Sequence, residues 1–352
     1  MPASLCEAWR VGIALALLSM VLPSVVLATD DADSTASSEQ PTEPAPTAPL
    51  EEVLVTGVQT GPGLWKVTRP VDRGEHVLWI LGLQGPLPKK MQWRSVEFEA
   101  AVAVSQELLV PAEVDAEVGI LSRLTVLPSL IGARNNPDGK MLQDVVPPDL
   151  YARWLVLKAR YLGDAHQVEK WRPLFAAYEL YRKALSKAGL ERSDQLLPVV
   201  TKLARKRGLK VTTPEITVKV EKPRAAIKEF KREPLDDLPC FARTIARLES
   251  DLDLMRARAN AWATGNIEAL RAMTPVGQAS ACIAAVMNAQ VLQERGFADL
   301  PARLATAWIT AAERAVEHNA ATVAVLPMRE ILEPAGLVAQ LRARGYVVQD
   351  PG

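Results

Sequence analysis

The chain has 352 residues, of which 49% are hydrophobic and 5% aromatic, and its 41 basic residues balance its 41 acidic residues. This length is enough for one large domain or two smaller ones, and the composition excludes collagen-like and wholly disordered chains. The charge is unevenly distributed. Seven acidic residues lie between positions 30 and 52. Without these seven and without residues 1–28, the chain has 40 basic and 33 acidic residues.

Residues 1–28 have the composition of a secretory signal peptide. Arg10 is followed by an apolar stretch at residues 11–27, and small residues precede a cleavage site between Ala28 and Thr29. A transmembrane anchor is the alternative, but it needs about 20 apolar residues, and serine and proline interrupt this stretch. The sequence therefore predicts a periplasmic or secreted protein without a stable membrane span after cleavage.

Residues 29–50 consist mostly of serine, threonine, proline, alanine and acidic residues, with no apolar periodicity. Such a segment cannot bury enough apolar surface to offset the entropy lost on ordering. It is predicted to be a disordered linker, so the folded domain occupies residues 51–352.

Short apolar runs in the first third of the chain predict strands. The run at residues 77–81 is rich in large side chains and is followed by Gly82 and two prolines, which is typical of a buried strand leading into a loop. The other elements predicted here are strands at 52–57, 64–68 and 107–111 and a helix at 96–106.

Helical periodicity dominates the middle of the chain, from about residue 150 to residue 318. Apolar residues at steps of three and four across residues 171–185 predict a helix whose aromatic residues belong to a core rather than to a ligand site. A longer seam over residues 238–262 predicts one continuous helix packed along another. Gly265 then ends this helix, and Asn266 caps the next one. Two further helices are predicted at 276–294 and 301–318.

The end of the chain returns to alternating elements, with a strand at 322–326, a helix at 336–344 and a strand at 346–348. These strands and those of the N-terminal part are expected to form one small sheet. The fold class predicted is therefore α/β (α+β), with a small sheet region and a large helical middle.

A basic segment extends over residues 182–232, which contain fifteen basic and five acidic residues. Such a segment can bind anionic polysaccharide, lipid headgroups or nucleic acid, although a solvated helical face is its commoner meaning. A signal peptide argues against nucleic acid. The central part of this basic segment contains Lys202, Arg205, Lys206, Arg207 and Lys210.

Two cysteines remain after removal of the signal peptide, Cys240 and Cys282. An exported protein enters a compartment that permits disulfides. Two chain reversals separate the helices that carry these residues, so both helices are expected to start at the same end of a bundle. We therefore predict a Cys240–Cys282 disulfide, with two buried free thiols as the alternative.

Several stretches of the chain share motifs with a known family. Residues 64–67 have the sequence Leu-Trp-Lys-Val, residues 81–86 Leu-Gly-Leu-Gln-Gly-Pro, residues 93–95 Trp-Arg-Ser, residues 262–266 Trp-Ala-Thr-Gly-Asn, and residues 337–346 Leu-Val-Ala-Gln-Leu-Arg-Ala-Arg-Gly-Tyr. They resemble the TraB/GumN family, in which a strand leads into Leu-Gly-Thr-Ile-His-Val-Leu-Pro and then Trp-Arg-Ser. The resemblance covers most of the chain from about residue 51 to residue 348.

The resemblance implies a TraB/GumN-like fold and, for the family, metal-dependent hydrolysis at two distant histidines and a carboxylate. In this chain Gly85 occupies the position of the first histidine. The sequence Leu-Pro-Met-Arg at 326–329 replaces the second Gly-x-x-His motif, so Arg329, or Glu330 after a shift of one residue, takes the second histidine position. Glu113 is the carboxylate nearest to the acidic position.

The chain has three histidines, His76, His166 and His318, and none has the spacing of a metal-binding motif. Borderline divalent metals need several imidazole or carboxylate donors to remain bound. Nucleophile-elbow, phosphate-loop and Cys-x-x-Cys motifs are also missing from the sequence. We therefore predict no catalytic residue, metal ligand or cofactor.

Four polar residues remain as a candidate pocket if the family fold is retained: Gln84, Glu113, Arg329 and Glu330. A carboxylate and a guanidinium in one pocket suit the binding of a polar ligand better than the activation of water. The alternative is that Arg329 and Glu330 are paired or exposed to solvent.

The function predicted from these observations is that of an exported, non-catalytic relative of metal-dependent peptidases or hydrolases, which binds a peptide, a glycan or an envelope partner. One alternative is an active hydrolase that uses a rearranged set of residues. Another is a structural protein of the cell envelope, with the basic segment as its contact surface.

Overall fold

A computed structural model describes residues 62–69, 76–89, 96–119, 126–191, 196–250, 252–273 and 278–351 of the chain, with the side chains of 278–281 excepted. The predicted signal peptide, the predicted linker and the strand predicted at 52–57 lie outside the described residues.

The structure is a mixed α/β fold, which confirms the predicted class. Its strands are β1 (Leu64–Thr68), β2 (Val77–Leu83), β3 (Leu87–Pro88), β4 (Glu107–Leu109), β5 (Glu113–Glu117), β6 (Leu190–Glu191), β7 (Lys210–Thr212), β8 (Glu215–Lys219), β9 (Ala321–Pro327) and β10 (Val347–Gln349).

The helices lie mainly between the N-terminal and C-terminal strands. They are α1 (Val96–Val104), α2 (Leu142–Val145), α3 (Pro148–Tyr161), α4 (Pro173–Lys187), α5 (Leu196–Lys206), α6 (Pro223–Arg232), α7 (Leu238–Ser250), α8 (Leu252–Ala263), α9 (Ile267–Met273), α10 (Gln278–Met287), α11 (Gln290–Leu292), α12 (Leu300–His318), α13 (Met328–Leu332) and α14 (Leu337–Ala343). Short 3₁₀ helices occupy Leu127–Leu130, Pro137–Gly139 and His166–Lys170, and a π turn occupies Gln293–Phe297.

The principal sheet has the strand order β10-β1-β2-β9-β4-β7. Its strands β2, β9, β4 and β7 run parallel, whereas β1 is antiparallel to both of its neighbours, β2 and β10. The sheet therefore combines strands from both ends of the chain, as predicted. Two separate two-stranded sheets pair β3 with β6 and β5 with β8.

The central strands β2 and β9 are covered on both faces. Leu78, Ile80 and Leu81 of β2 are completely buried, and so are Val323 and Val325 of β9. A parallel strand buried on both faces is expected to be a near-continuous apolar run, which explains why this pair was recognisable in the sequence.

The predicted end of β2 at residue 81 is two residues too early. Gly82 pairs with Leu326 and Leu83 with Pro327, so the strand continues for as long as its partner does. Glycine weakens a strand but does not stop it, and here it also leaves space for a neighbouring side chain.

The sequence predicts one continuous helix at 238–262, and the structure describes this region as α7 and α8, with Asp251 between them outside the described residues. Phe241 of α7 packs in a helical core, where its ring centroid lies 5.4 Å from that of Trp154. Trp262 of α8 belongs instead to the core beneath the principal sheet. The single apolar seam therefore serves two different cores.

The helix predicted at 276–294 is interrupted. Ala289, between α10 and α11, has non-helical backbone angles. The Glu233 carboxylate accepts hydrogen bonds from the backbone N–H groups of Gln290 and Val291, the first residues of α11. A carboxylate at a helix N-terminus satisfies N–H groups that have no partner within the helix, so the break is stabilised by a distant residue.

The junction after α8 agrees with the prediction. Gly265 has a φ of +70°, in the left-handed region that glycine adopts readily. The Asn266 side chain accepts a hydrogen bond of 2.9 Å from the backbone N–H of Ala269. These two residues end α8 and begin α9.

Cys240 at the start of α7 and Cys282 in α10 form a disulfide, with their α-carbons 4.6 Å apart. This separation lies within the range of about 4.4–6.8 Å that a disulfide requires. The pairing is the one that the sequence predicts. Within the described part of the chain, no helix has both the length and the apolar character needed to cross a membrane.

A buried carboxylate connects α4 to the segment before α7. Asp237 is only 3% exposed and accepts a hydrogen bond of 2.8 Å from the backbone N–H of Leu174 in the first turn of α4. Burial raises the pKa of Asp237 to about 6, while this hydrogen bond and the nearby Arg172 act in the opposite direction. The desolvation of the charged form is the larger effect.

Candidate functional site

The carboxyl ends of β2 and β9 lie side by side, because the two strands are parallel and Leu83 pairs with Pro327. Gln84 follows β2 directly, and Arg329 and Glu330 lie in α13, which begins immediately after β9. Ligands of open α/β sheets bind outside the carboxyl ends of strands. The structure therefore brings the loop of Gln84 and the helix of Arg329 and Glu330 to the edge where a site is expected.

The side chain of Gln84 does not face an open pocket. It is 6% exposed, and its Nε2 donates a hydrogen bond of 2.8 Å to the backbone oxygen of the next residue, Gly85. The buried amide is thus partly satisfied by its own loop. Gly85, at the first histidine position of the family, is joined to Pro86 by a cis peptide bond.

Arg329 and Glu330 form an ion pair with each other. The Nε of Arg329 donates to Oε1 of Glu330 over 3.1 Å, and the two side chains are 44% and 31% exposed. This is the paired arrangement that the sequence left open as the alternative. An exposed pair of this kind contributes little stability, so both groups can exchange their mutual contact for a ligand.

Glu113 lies apart from the other three residues. It is the first residue of β5, in a separate two-stranded sheet, where it stands opposite Glu215 of β8. Burial, and then the charge of Glu215, raises the pKa of Glu113. Within the described ranges it has no hydrogen bond or ion pair with Gln84, Arg329 or Glu330, so the structure shows no contact that joins all four.

A packing contact that the sequence did not predict closes the edge beneath these residues. A Cβ atom added to Gly82 would lie 2.4 Å from Cε and 2.9 Å from Sδ of Met328. The indole Nε1 of Trp262 donates a hydrogen bond of 2.7 Å to the backbone oxygen of Gly82. Met328 and Trp262 are both buried, so apolar side chains fill the space under the ends of β2 and β9.

The histidines lie at separate places. Nδ1 of His76, just before β2, is 2.8 Å from the backbone oxygen of Val316, and Nδ1 of His318 is 2.8 Å from that of Arg314. Both residues precede their strands and therefore lie at the amino end of the parallel sheet. His166 begins a 3₁₀ helix. In the ranges that the structure describes, no three His, Cys, Asp or Glu side chains are grouped so as to hold a metal ion.

The sequence model of the TraB/PrgY/gumN family matches residues 63–350. The chain belongs to this family. Searches of curated proteins and of solved structures found no match. The TraB/PrgY/gumN assignment therefore rests on the family model, and the framework motifs that resembled the family lie within the matched region.

The residues present do not fit the metal that the family resemblance implies. Gly85 has no side chain, and Arg329 is a cation in place of an imidazole. Glu330 is in contact with the Arg329 guanidinium, and Glu113 stands beside another carboxylate in a different sheet. A divalent cation of this type needs several imidazole or carboxylate donors converging on one point, and these positions do not supply them.

Proposed function

We propose that this TraB/PrgY/gumN protein is an exported, non-catalytic member of its family that binds a peptide, a glycan or another envelope component at the carboxyl end of β2 and β9. The observation that carries the proposal is the replacement of both histidine positions, by Gly85 and by the Arg329–Glu330 pair. What remains at this edge is a guanidinium and a carboxylate in α13, the helix that begins directly after β9.

The chemistry of this edge suits recognition of a polar ligand. The Arg329 guanidinium has donors beyond the one that contacts Glu330, and it can hold a ligand carboxylate by two parallel hydrogen bonds. The buried Met328 beneath it fixes the start of α13. A rigid base reduces the entropy lost when a ligand is held.

Export is part of the proposal. The N-terminal sequence has the pattern of a cleaved signal peptide, and a disulfide between Cys240 and Cys282 is suited to an oxidising compartment outside the cytoplasm. N-terminal sequencing of the protein recovered from cells tests the cleavage. The expected first residue is Thr29, and an intact N-terminus on protein in the membrane fraction would contradict this part.

Metal analysis of the purified mature protein tests the non-catalytic part. After dialysis, the expected result is less than stoichiometric Mn, Co or Zn. A stoichiometric metal that survives dialysis, together with metal-dependent hydrolysis of peptides, would establish the alternative of an active hydrolase with a rearranged site.

A thermal-shift screen of peptides and glycans on the mature protein tests the binding part, because a ligand selective for the folded state raises the melting temperature. A ligand found in this way should lose its effect with Arg329→Gln. Arg344→Gln is the matched control, because Arg344 is similarly exposed and paired with Glu313. Equal loss in both variants would mean that the ligand does not bind at the β2 and β9 edge.

A further inference from the structure

Helix α5 presents an exposed face to solvent on the side opposite its core contacts. Leu196, Val200 and Ala204 pack into the core of the principal sheet. None of the residues that form the outer face is acidic. They are Leu197, Pro198, Thr201, Lys202, Arg205 and Lys206.

Apolar and cationic side chains are segregated along this face of α5. Its N-terminal half carries Leu197 and exposed Pro198, and Val199 beside them is 54% exposed. Its C-terminal half carries the three cations, Lys202, Arg205 and Lys206, all exposed. On a helix, residues three and four apart are neighbours, so the three cations form one patch.

The three cations have no ion-pair partner in the described part of the chain, unlike several other basic residues of the same segment. Arg182, for example, pairs with Glu179 over 2.6 Å, and Lys210 lies 3.6 Å from Glu107. Arg205 and Lys206 also offset the negative end of the helix dipole. That role explains neither Lys202 nor the exposed apolar residues at the other end of the helix.

We infer that this face of α5 docks on the surface of an anionic lipid bilayer. Basic side chains near such a surface are attracted to its headgroups, while exposed apolar side chains beside them enter the boundary between headgroups and acyl chains. A soluble anionic polymer would account for the cations but would not use Val199. The surface is distinct from the edge of β2 and β9, because α5 leads into β7, the outermost strand of the sheet.

Co-sedimentation of the full mature chain with vesicles tests this inference. The chain should bind vesicles of phosphatidylcholine mixed with phosphatidylglycerol and should not bind vesicles of phosphatidylcholine alone. Raising the salt concentration should weaken the binding, because salt screens the attraction. Equal binding to both kinds of vesicle, or binding to neither, would overturn the inference.

Charge-neutral variants locate the contact. Lys202→Gln, Arg205→Gln and Lys206→Gln together should weaken binding about 100-fold, and Lys202→Gln alone about 5-fold. The matched control removes three exposed cations elsewhere in the segment, by Lys219→Gln, Lys228→Gln and Arg232→Gln. Equal weakening by both triple variants would show that only net charge matters. Circular dichroism verifies that each variant is folded. If the triple variant of α5 is unfolded, vesicle binding by Lys202→Gln alone decides the test.

The apolar half of this face of α5 distinguishes a bilayer from a soluble polymer. Val199→Ser should weaken binding to the anionic vesicles several-fold and leave binding to soluble dextran sulfate unchanged. If Val199→Ser has no effect on vesicle binding and the parent binds dextran sulfate as tightly as it binds vesicles, the occupant is a soluble polyanion and the inference fails.

Discussion

Replacing Trp262 by alanine should be among the costly substitutions in this chain. Its side chain is completely buried beneath the principal sheet, and its indole nitrogen holds the backbone oxygen of Gly82 at 2.7 Å. Truncation of a buried tryptophan costs about 3–5 kcal/mol through lost burial and the cavity that remains. About 1–3 kcal/mol of this cost comes from leaving the buried backbone oxygen of Gly82 without a hydrogen-bond donor.

Trp262→Phe separates these two contributions, because it retains most of the apolar volume but removes the N–H donor. We expect it to cost about 1–3 kcal/mol, the share assigned to the hydrogen bond. Trp79→Ala is the control, because it also removes a tryptophan side chain. Trp79 lies on β2, is only partly buried, and has Lys66 at 5.7 Å from its ring centroid. It should cost less than Trp262→Ala.

Urea unfolding of the oxidised mature protein, followed by far-ultraviolet circular dichroism, measures these differences. The midpoint should fall while the slope stays constant if only stability changes. If Trp262→Ala unfolds at the same urea concentration as the parent, α8 is not packed against the end of β2, and the described closure of this edge is wrong.

Gly82→Ala should reduce the free energy of unfolding by about 1–3 kcal/mol, because the added methyl group overpacks against Met328. The same substitution should cost clearly less in a chain that carries Met328→Ala. Equal costs in the two chains would disprove the contact. For Asp237, whose pKa rises to about 6 on folding, the favourable contribution is complete below about pH 4 and is lost as the pH rises through 6. Between pH 4 and pH 7 the parent should therefore lose roughly 2 kcal/mol of stability relative to Asp237→Asn, and a difference that does not change with pH would refute the assignment. Removing the disulfide by Cys240→Ser and Cys282→Ser should cost about 3–4 kcal/mol for a sequence separation of 42 residues, and two alkyl adducts on the unreduced parent in mass spectrometry would show that the disulfide is absent.

Local pattern predicted the central strands and most helices of the fold because these elements bury one face or both. The apolar runs of β2 and β9 and the Gly265–Asn266 junction are examples. The packing of the 238–262 seam in two different cores was missed, because periodicity shows that a face is buried and does not show what that face packs against. β5 and β8 were missed because each has only five residues, several of them polar, and the two strands pair only with each other.

The candidate site was predictable only in part. The adjacency of Gln84 and the Arg329 segment follows from strand ends and from the resemblance to a family. The contact of Gly82 with Met328 and Trp262 does not, since it joins three distant parts of the chain. A signal was present, because Gly82 and Trp262 both belong to motifs shared with the family. The contact between these two residues can be recognised only in the folded structure.

The position of β9 has a consequence for the order in which the protein can be completed. Leu78 of β2 pairs with Thr322 of β9, and β9 also pairs with β4, so β9 lies between two strands that are both synthesised before it. Until residue 321 has been made, the two halves of the sheet have no bridge. Contacts between such distant residues also form slowly, because a long loop must close first. A polypeptide whose sheet cannot form before residue 321 has been made remains unfolded for longer, and for the export proposed above an unfolded chain is the form that a secretion channel can transport.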